Sequence, residues 1–164
     1  MLKTRYRTKT RKVCKGPKIA SWRSRKKRGA GSKLEIMYDK QIVADQRLTR
    51  AITSDIPEVM FGIQENKQYT LVMYDVDSPN PAYIHWLQTN ITNHAKGLTV
   101  LPYEAPNPPT HDKHYHAYMF ELLEQSGPLR IDYIQRSGNS IDVFKKHHGL
   151  RSIASCGFYI DPQL

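Results

Sequence analysis

The sequence predicts an all-β domain, a sandwich of antiparallel sheets with one short C-terminal helix, preceded by an extended basic arm. Three observations support this. Short alternating apolar segments separated by turn residues begin at Leu34 and continue to the end of the chain. Ser140 to His148 is the segment with helical periodicity. Residues 1–33 hold 14 of the 25 Lys and Arg and no acidic residue. We therefore expect an arm over residues 1–33 and a sandwich domain over residues 34–164.

The arm is too polar to fold alone. Its cations alternate with Thr, Ser and small residues, which bury too little apolar surface to offset the entropy lost on ordering. Phosphates would attract this charge, and the rings of Tyr6 and Trp22 could stack on exposed bases. A solubilising tail and a mitochondrial targeting segment are open alternatives. The residues predicted to contact a polyanion (RNA or DNA) or an acidic protein surface are Lys3, Arg5, Arg7, Lys9, Arg11, Lys12, Arg23, Arg25, Lys26, Lys27 and Arg28.

Seven segments of the domain are predicted strands because they are short, apolar and rich in β-branched or aromatic residues. They cover residues 34–38, 58–61, 69–74, 84–91, 116–123, 129–133 and 157–160. Residues 101–109 contain four prolines, which cannot join a central strand. We expect a stiff loop there, and a stiff loop beside a ligand loses little entropy on binding.

The single predicted helix covers residues 140–148. Ser140 can cap its first turn, and Asp142 lies where the helix dipole favours a negative charge. Gly149 suits the left-handed conformation that ends a helix. Ile141, Phe144 and His148 share one face, which we expect to pack against the sheet.

Composition narrows the class of protein. The domain has 11 Lys and Arg against 15 Asp and Glu, so its net charge is −4, opposite in sign to that of the arm. No apolar run is long enough to cross a bilayer, and none resembles the core of a secretory signal. Cys14 and Cys156 give no disulfide framework. We expect an intracellular protein in a reducing compartment, not a secreted one.

Polar residues gather where a predicted strand ends. Asp75 and Asp77 follow strand 69–74, and His85 opens the next apolar run after a short loop. All three can face one end of the sheet and form a small polar pocket. Two structural alternatives stay open: one aspartate could form an Asx-turn ahead of Pro79, and a histidine on a strand is often a core residue with satisfied hydrogen bonds.

These residues also carry a family resemblance. The strings from Asp75 to Pro79 and from His85 to Ile91 resemble signatures of the phosphatidylethanolamine-binding protein family. The segments 103–109, 116–125 and 141–161 resemble later blocks of the same family, in the same order. The resemblance implies a β-sandwich with a pocket for phosphate-like or acetate-like anions and phospholipid headgroups. By the same resemblance, the ligand-binding residues are Asp75, Asp77, Tyr83, His85, Ala105, Asn107, Pro108, His116 and Tyr118.

The sequence departs from the family pattern at three points. Ala105 and Asn107 replace loop glycines, so their side chains can narrow the pocket. Ala117 replaces an arginine, which removes the expected charge partner of an aspartate. The interval from Pro109 to His116 is also about one residue longer. A domain that keeps the fold without the ligand is therefore an open alternative.

Catalysis and metal binding find little support in the sequence. The cluster of His111, Asp112, His114 and His116 lacks the ligand spacing of a zinc site. Neither a Gly-x-Ser-x-Gly elbow nor a glycine-rich phosphate loop occurs. We expect a non-enzymatic protein without catalytic residues, cofactor or metal.

Two functional hypotheses follow. In the first, the chain is a binding or structural protein whose arm anchors it to nucleic acid or an acidic neighbour in a large assembly, such as a virus particle or a mitochondrial ribosome. The alternative is a free cytosolic regulator of kinases or proteases that binds phospholipid headgroups or anions. The clustered cations of the arm favour the first hypothesis, because a regulator has no need of them.

Overall fold

The structure is a computed structural model that describes residues 33–79 and 82–164. The predicted contact residues of the arm lie outside this part of the chain, so the polyanion hypothesis stays a prediction, as does the domain boundary. The described residues form nine strands and one helix. In chain order these are β1 (Leu34–Tyr38), β2 (Gln41–Val43), β3 (Gln46–Leu48), β4 (Glu58–Phe61), β5 (Gln68–Asp75), β6 (Tyr83–Ile91), β7 (Leu98–Leu101), β8 (His116–Gln125), α1 (Ile141–His147) and β9 (Arg151–Ile160).

The strands form two sheets. One has three strands in the order β2-β1-β4, and the other has six in the order β3-β9-β8-β5-β6-β7. Every pair is antiparallel except β3 with β9, which run parallel at one edge. The predicted antiparallel β-sandwich is confirmed, with this one parallel pair as a difference.

The six-stranded sheet is covered on both faces. On one face Leu71, Met73 and Phe120 pack in a cluster with residues of the three-stranded sheet. On the other face Val72 and Leu123 pack with residues of α1. The central strand β5 therefore reads as a continuous apolar run, since a strand buried on both faces has no solvent side to alternate with.

The structure confirms the predicted helix. The Ser140 hydroxyl accepts a hydrogen bond from the backbone N–H of Val143, and Ile141 and Phe144 are buried. Gly149 follows with φ of 62°, the left-handed conformation expected at the stop. None of the described helical structure is long and apolar enough to span a bilayer.

One predicted strand is wrong. Residues 129–133 alternate as expected, and Leu129 and Ile131 pack against the apolar cluster beside α1. Their backbone joins no sheet, and at Leu129 the side-chain amide of Asn90 makes the hydrogen bonds that a neighbouring strand would make. Its Nδ2 donates to the Leu129 carbonyl at 2.8 Å, and its Oδ1 accepts the Leu129 N–H at 2.8 Å.

The short strands β2, β3 and β7 were not predicted, since three or four residues carry too little pattern. The cysteine prediction also needs correction. Cys156 is disulfide-bonded. Two cysteines far apart in a sequence give no sign of a bridge, because disulfide formation depends on their distance in the folded chain.

Candidate functional site

The site lies where β5 ends and β6 and β8 begin. Antiparallel pairing puts Asp75, the last residue of β5, opposite Tyr83 of β6 and Tyr118 of β8. His116 is the first residue of β8, two positions before Tyr118, so the two share one face of the sheet. Sheet register therefore brings together the residues that the sequence predicted at this end.

A β-bulge brings His85 onto the same face. Met73 pairs with Trp86 while the next residue, Tyr74, pairs with Ile84, which leaves His85 as the extra residue of β6. A bulge redirects side chains next to it. The His85 ring consequently lies 5.2 Å from the Tyr118 ring, centroid to centroid, on the inner face of the sandwich.

His116 is held between two carboxylates. Its Nδ1 lies 2.8 Å from Asp75 Oδ2, and its Nε2 lies 2.9 Å from Asp112 Oδ2. Carboxylates only accept hydrogen bonds, so this arrangement suits an imidazolium that donates from both nitrogens. Burial alone would lower the pKa of His116, but the hydrogen bonds with Asp75 and Asp112 outweigh it and raise the pKa above the ordinary value.

His85 has the opposite character. Its Nδ1 donates to the Glu104 carbonyl oxygen at 2.9 Å, and its side chain is buried. Burial lowers the pKa of His85, and the favourable contact with the carbonyl compensates only in part. The site thus combines one imidazole whose environment favours the charged form with one whose environment favours the neutral form, so the pair can donate to and accept from one ligand.

The two aspartates have different tasks. Asp75 is buried, and besides its contact with His116 its Oδ1 accepts the backbone N–H of Asp77 at 2.9 Å, which is an Asx-turn. Asp77 is exposed, and its Oδ2 accepts the backbone N–H of Ala117 at 2.8 Å. A main-chain donor therefore compensates Asp77 at the position where the family pattern has an arginine.

A tyrosine and an arginine complete the inner wall. Burial, and then the charge of Asp75, raise the pKa of Tyr118, so its hydroxyl stays neutral and can donate. Arg50 is close enough for its charge to act on Tyr118. One guanidinium nitrogen of Arg50 donates to the Pro108 carbonyl at 2.9 Å, while its Nε is buried without a hydrogen-bond partner.

The proline-rich loop covers the outer side. The backbone N–H of Glu104 donates to the His85 carbonyl at 2.9 Å, which attaches the loop to β6. Of the predicted loop residues, Pro108 is buried, Ala105 is half-buried and Asn107 is exposed. Asn107 is therefore open to solvent, whereas the carbonyl of Pro108 accepts a hydrogen bond from Arg50.

Tyr83 lies at the rim. Its ring is 4.9 Å from the His85 ring, and its hydroxyl donates to Glu104 Oε1 at 2.8 Å. The other carboxylate oxygen of Glu104 is 3.0 Å from Arg136 Nε. Arg136 also donates to the carbonyls of Ile84 and His85, each at 3.0 Å. This arginine therefore supports the bulge from outside.

Sequence reasoning missed four residues of the site: Arg50, Glu104, Asp112 and Arg136. Asp112 had a local signal, since it stands four residues before His116, although an exposed loop end explains an aspartate at this position equally well. The other three reach the site from distant segments and had no signal in the pattern.

No cluster of three or more His, Cys, Asp or Glu in the described part of the chain has the arrangement of a metal site. Two open clefts of the described structure lie elsewhere. One, of about 390 Å³, is at the opposite end of the sheet by Gln68 and Gln125. The other, of about 720 Å³, lies beside β4 and Trp86.

Comparison with known proteins agrees with the fold. The family model described as phosphatidylethanolamine-binding protein matches residues 31–155. The chain belongs to this family. Among solved structures, the phosphatidylethanolamine-binding protein of Plasmodium falciparum is 16% identical, with a TM-score of 0.63 over 92% of this chain and 100% of that one. YbcL of Escherichia coli is 16% identical, with a TM-score of 0.53 over 78% and 98%. At this identity the two structures show the shared fold alone.

Curated relatives of this family member are more similar in sequence. A 26 kDa secreted antigen of Toxocara canis is 29% identical over 134 residues, which are 73% of this chain and 51% of the antigen. Protein TWIN SISTER of FT of Arabidopsis thaliana is 36% identical over 92 residues, 51% of this chain and 50% of the relative. The chain spans about half the length of the curated relatives it matches.

These findings correct the expected localisation. The prediction of an intracellular protein in a reducing compartment, not secreted, is contradicted by the similarity to a secreted antigen. The disulfide at Cys156 also disagrees with a reducing compartment. Composition describes what a chain can fold into and carries little information about its compartment, which is why this prediction failed.

Proposed function

We propose that this family member is a non-enzymatic binding protein that takes the phosphate group of a phospholipid headgroup, or a related anion, at the end of β5. One observation carries the proposal: two buried histidines on the strands flanking β5 converge on Asp75, the last residue of that strand. The family's description as phosphatidylethanolamine-binding supports the same ligand class.

The chemistry of the wall suits a phosphate oxygen. An imidazolium at His116 and the Tyr118 hydroxyl can donate hydrogen bonds, and the charge of Arg50 lies nearby. The hydrogen-bond partners of the two histidines are a carbonyl and two carboxylates, none of which is a nucleophile that a histidine would activate. Binding rather than catalysis is the activity that this arrangement supports.

The test is a titration followed by NMR. Glycerophosphoethanolamine and inorganic phosphate are added separately to uniformly ¹⁵N-labelled protein while the imidazole resonances are recorded. We expect the resonances of His85 and His116 to shift in a saturable way, and a His85→Ala variant to bind at least tenfold more weakly. The matched control is His94→Ala, since His94 is exposed at the other end of the sheet. Resonances that stay unchanged with both compounds would contradict the proposal.

A second function concerns the arm. We infer that residues 1–33 bind polyanions such as RNA, DNA or acidic protein surfaces, because 14 cations without one acid stand next to a domain of net charge −4. Replacing five of these cations with glutamine should reduce the salt dependence of binding to generic RNA, with the slope falling by about 0.7–0.9 per lost phosphate contact. The five are Arg23, Arg25, Lys26, Lys27 and Arg28.

The control variant has the same change in net charge, but its substitutions lie in the domain. Five exposed cations of the described residues are replaced instead: Lys40, Lys96, Lys113, Arg130 and Lys146. If the salt dependence of RNA binding falls equally in both variants, binding follows the net charge of the protein. The arm would then not be a specific contact for RNA.

A further inference from the structure

A loop residue already occupies part of the proposed binding site. Asp112 lies in the segment between the proline-rich loop and β8, where its backbone N–H donates to the Pro109 carbonyl in a turn. Its Oδ2 reaches His116 Nε2 at 2.9 Å. The side chain of His116 is 3% exposed, whereas that of Asp112 is 36% exposed. The contact therefore joins a buried histidine to a carboxylate that is still partly in solvent.

This contact uses the histidine nitrogen that a phosphate would need. Nδ1 of His116 is committed to Asp75, which is itself buried and fixed by the backbone N–H of Asp77. Nε2 is the remaining donor. A carboxylate oxygen and a phosphate oxygen are the same kind of acceptor, so the two cannot use this N–H fully at the same time.

Charge adds to the competition. With Asp75 and Asp112 both ionised, an imidazolium at His116 leaves this three-residue group with a net charge of −1. An incoming phosphate is repelled while Asp112 stays in place, and solvent at the exposed side of Asp112 screens this repulsion only in part because His116 and Asp75 are buried.

We propose that Asp112 is a built-in competitor, a loop carboxylate that occupies the Nε2 donor of His116 and leaves when a phosphate group binds. This inference rests on the proposed function of the same site. Asp112 can leave because water is available to its exposed side, where its one ion pair with a described residue is a 3.7 Å contact between its Oδ1 and the exposed His111. Asp75 cannot leave, since both its oxygens are bound inside the sheet end.

The test compares Asp112→Ala with the wild-type full chain. The variant frees Nε2 and removes one negative charge, so we expect the dissociation constant for inorganic phosphate to fall about tenfold or more, which is about 1.4 kcal/mol of binding free energy per factor of ten. Asp132→Ala is the control, because Asp132 is an exposed carboxylate that pairs with the exposed Arg130. It should bind phosphate like the wild type.

A second measurement keeps the two proposals separable. An NMR pH titration of His116 in the absence of ligand reports the contact itself, because loss of one carboxylate partner should lower the pKa of His116 in Asp112→Ala. Glycerophosphoethanolamine is titrated in parallel with inorganic phosphate, so a gain for either compound identifies the lipid headgroup or the free anion as the source of the phosphate group.

The possible outcomes separate the competitor proposal from the proposed function. If phosphate binds more tightly to Asp112→Ala than to the wild type, and binds to Asp132→Ala like the wild type, the competitor proposal is supported. If the pKa of His116 falls but both compounds bind with unchanged affinity, the competitor is overturned and the proposed function stands. An equal gain in Asp132→Ala overturns it as well, since general charge would then explain the effect. If no form of the protein binds either compound, both proposals fail.

Discussion

The two ends of the six-stranded sheet each bury a polar network, and the networks differ in composition. At the end opposite to the candidate site, Gln125 is 5% exposed and uses its whole amide. Its Oε1 accepts from the Thr70 hydroxyl and the Asn90 backbone N–H, both at 2.8 Å. Its Nε2 donates to Asn90 Oδ1 and to the Gly127 carbonyl, both at 2.9 Å.

The site end replaces these neutral groups with ionisable ones. Asp75 and His116 are equally buried, but their network is completed by Asp112, which comes from a partly exposed loop. Neutral groups that satisfy one another inside the sheet stabilise the fold and have nothing to offer a ligand. A charged network with one replaceable member can exchange that member for a ligand. Burial alone therefore does not separate structural from binding networks.

Breaking the neutral end should have the largest effect on stability. Gln125→Ala leaves the Thr70 hydroxyl, the Asn90 backbone N–H and the Gly127 carbonyl without their partner, while Asn90 Oδ1 keeps the Leu129 N–H. We therefore expect the free energy of unfolding to fall by about 3 kcal/mol, from one to three for each unsatisfied buried group with partial relaxation. Urea unfolding followed by circular dichroism measures it. Binding of glycerophosphoethanolamine at the other end should stay unchanged in the folded variant.

Gln88→Ala is the matched control for this substitution. Gln88 lies on β6 of the same sheet, and its side-chain amide donates an exposed hydrogen bond to Thr99 Oγ1 at 3.4 Å. Its loss should change the free energy of unfolding by less than about 0.5 kcal/mol. Equal losses from the two substitutions would show that the network at Gln125 is no more important than a surface contact.

The local pattern of apolar and turn residues predicted the central strands whose ends form the two polar networks. Strands β1 and β4 match their predicted bounds, and β5, β6 and β8 extend theirs by one or two residues. The pattern worked because these segments are short, apolar and bounded by turn residues. Asp75 and His85 were predicted at one sheet end for a related reason, since a strand that stops abruptly fixes where the next polar residues lie.

The partners of those residues could not be predicted in this way. Arg136 reaches the Ile84 carbonyl across 52 positions, and Arg50 reaches Pro108 across 58. Nothing in the neighbourhood of either arginine marks its target. Asn90 is a further example. Its side-chain amide bonds the backbone of Leu129, in a segment for which the alternating pattern predicted a strand. Contacts of this kind depend on the assembled fold.

The charged end can be tested by comparing its two aspartates. Asp75→Asn turns one acceptor of His116 into an amide, and we expect the free energy of unfolding to fall by about 2 kcal/mol, the size of a hydrogen bond to a charged group. Binding of glycerophosphoethanolamine should weaken as well, because His116 loses the carboxylate that keeps it charged. Urea unfolding and the NMR titration measure the two effects.

Asp77→Asn keeps an acceptor for the Ala117 N–H and should cost less than about 0.5 kcal/mol, since Asp77 is exposed. This pair of variants also decides which carboxylate of the motif belongs to the ligand site. A larger loss of binding from Asp77→Asn would reverse the assignment made from the geometry.

The smallest effect, and the sharpest difference between the two ends, is the dependence on pH. The pKa of His116 is raised on folding, so its contribution to stability is complete below the ordinary value of 6.5 and is lost as the pH rises through the higher pKa of the folded state. The pKa of His85 is lowered, so its contribution is complete above 6.5 and is lost as the pH falls through its lower folded value. The contributions of His116 and His85 change with pH in opposite directions, so a measurement of total stability conceals them. An NMR titration of the individual imidazoles resolves them.

We expect His116 to titrate above 6.5 and His85 below it, while Thr70, Asn90 and Gln125 have no group that titrates in this range. Two histidines that both titrate near 6.5 would mean that the carboxylates at the site end do not hold a charged imidazole, and the distinction between a neutral structural network and a charged binding network would lose its basis.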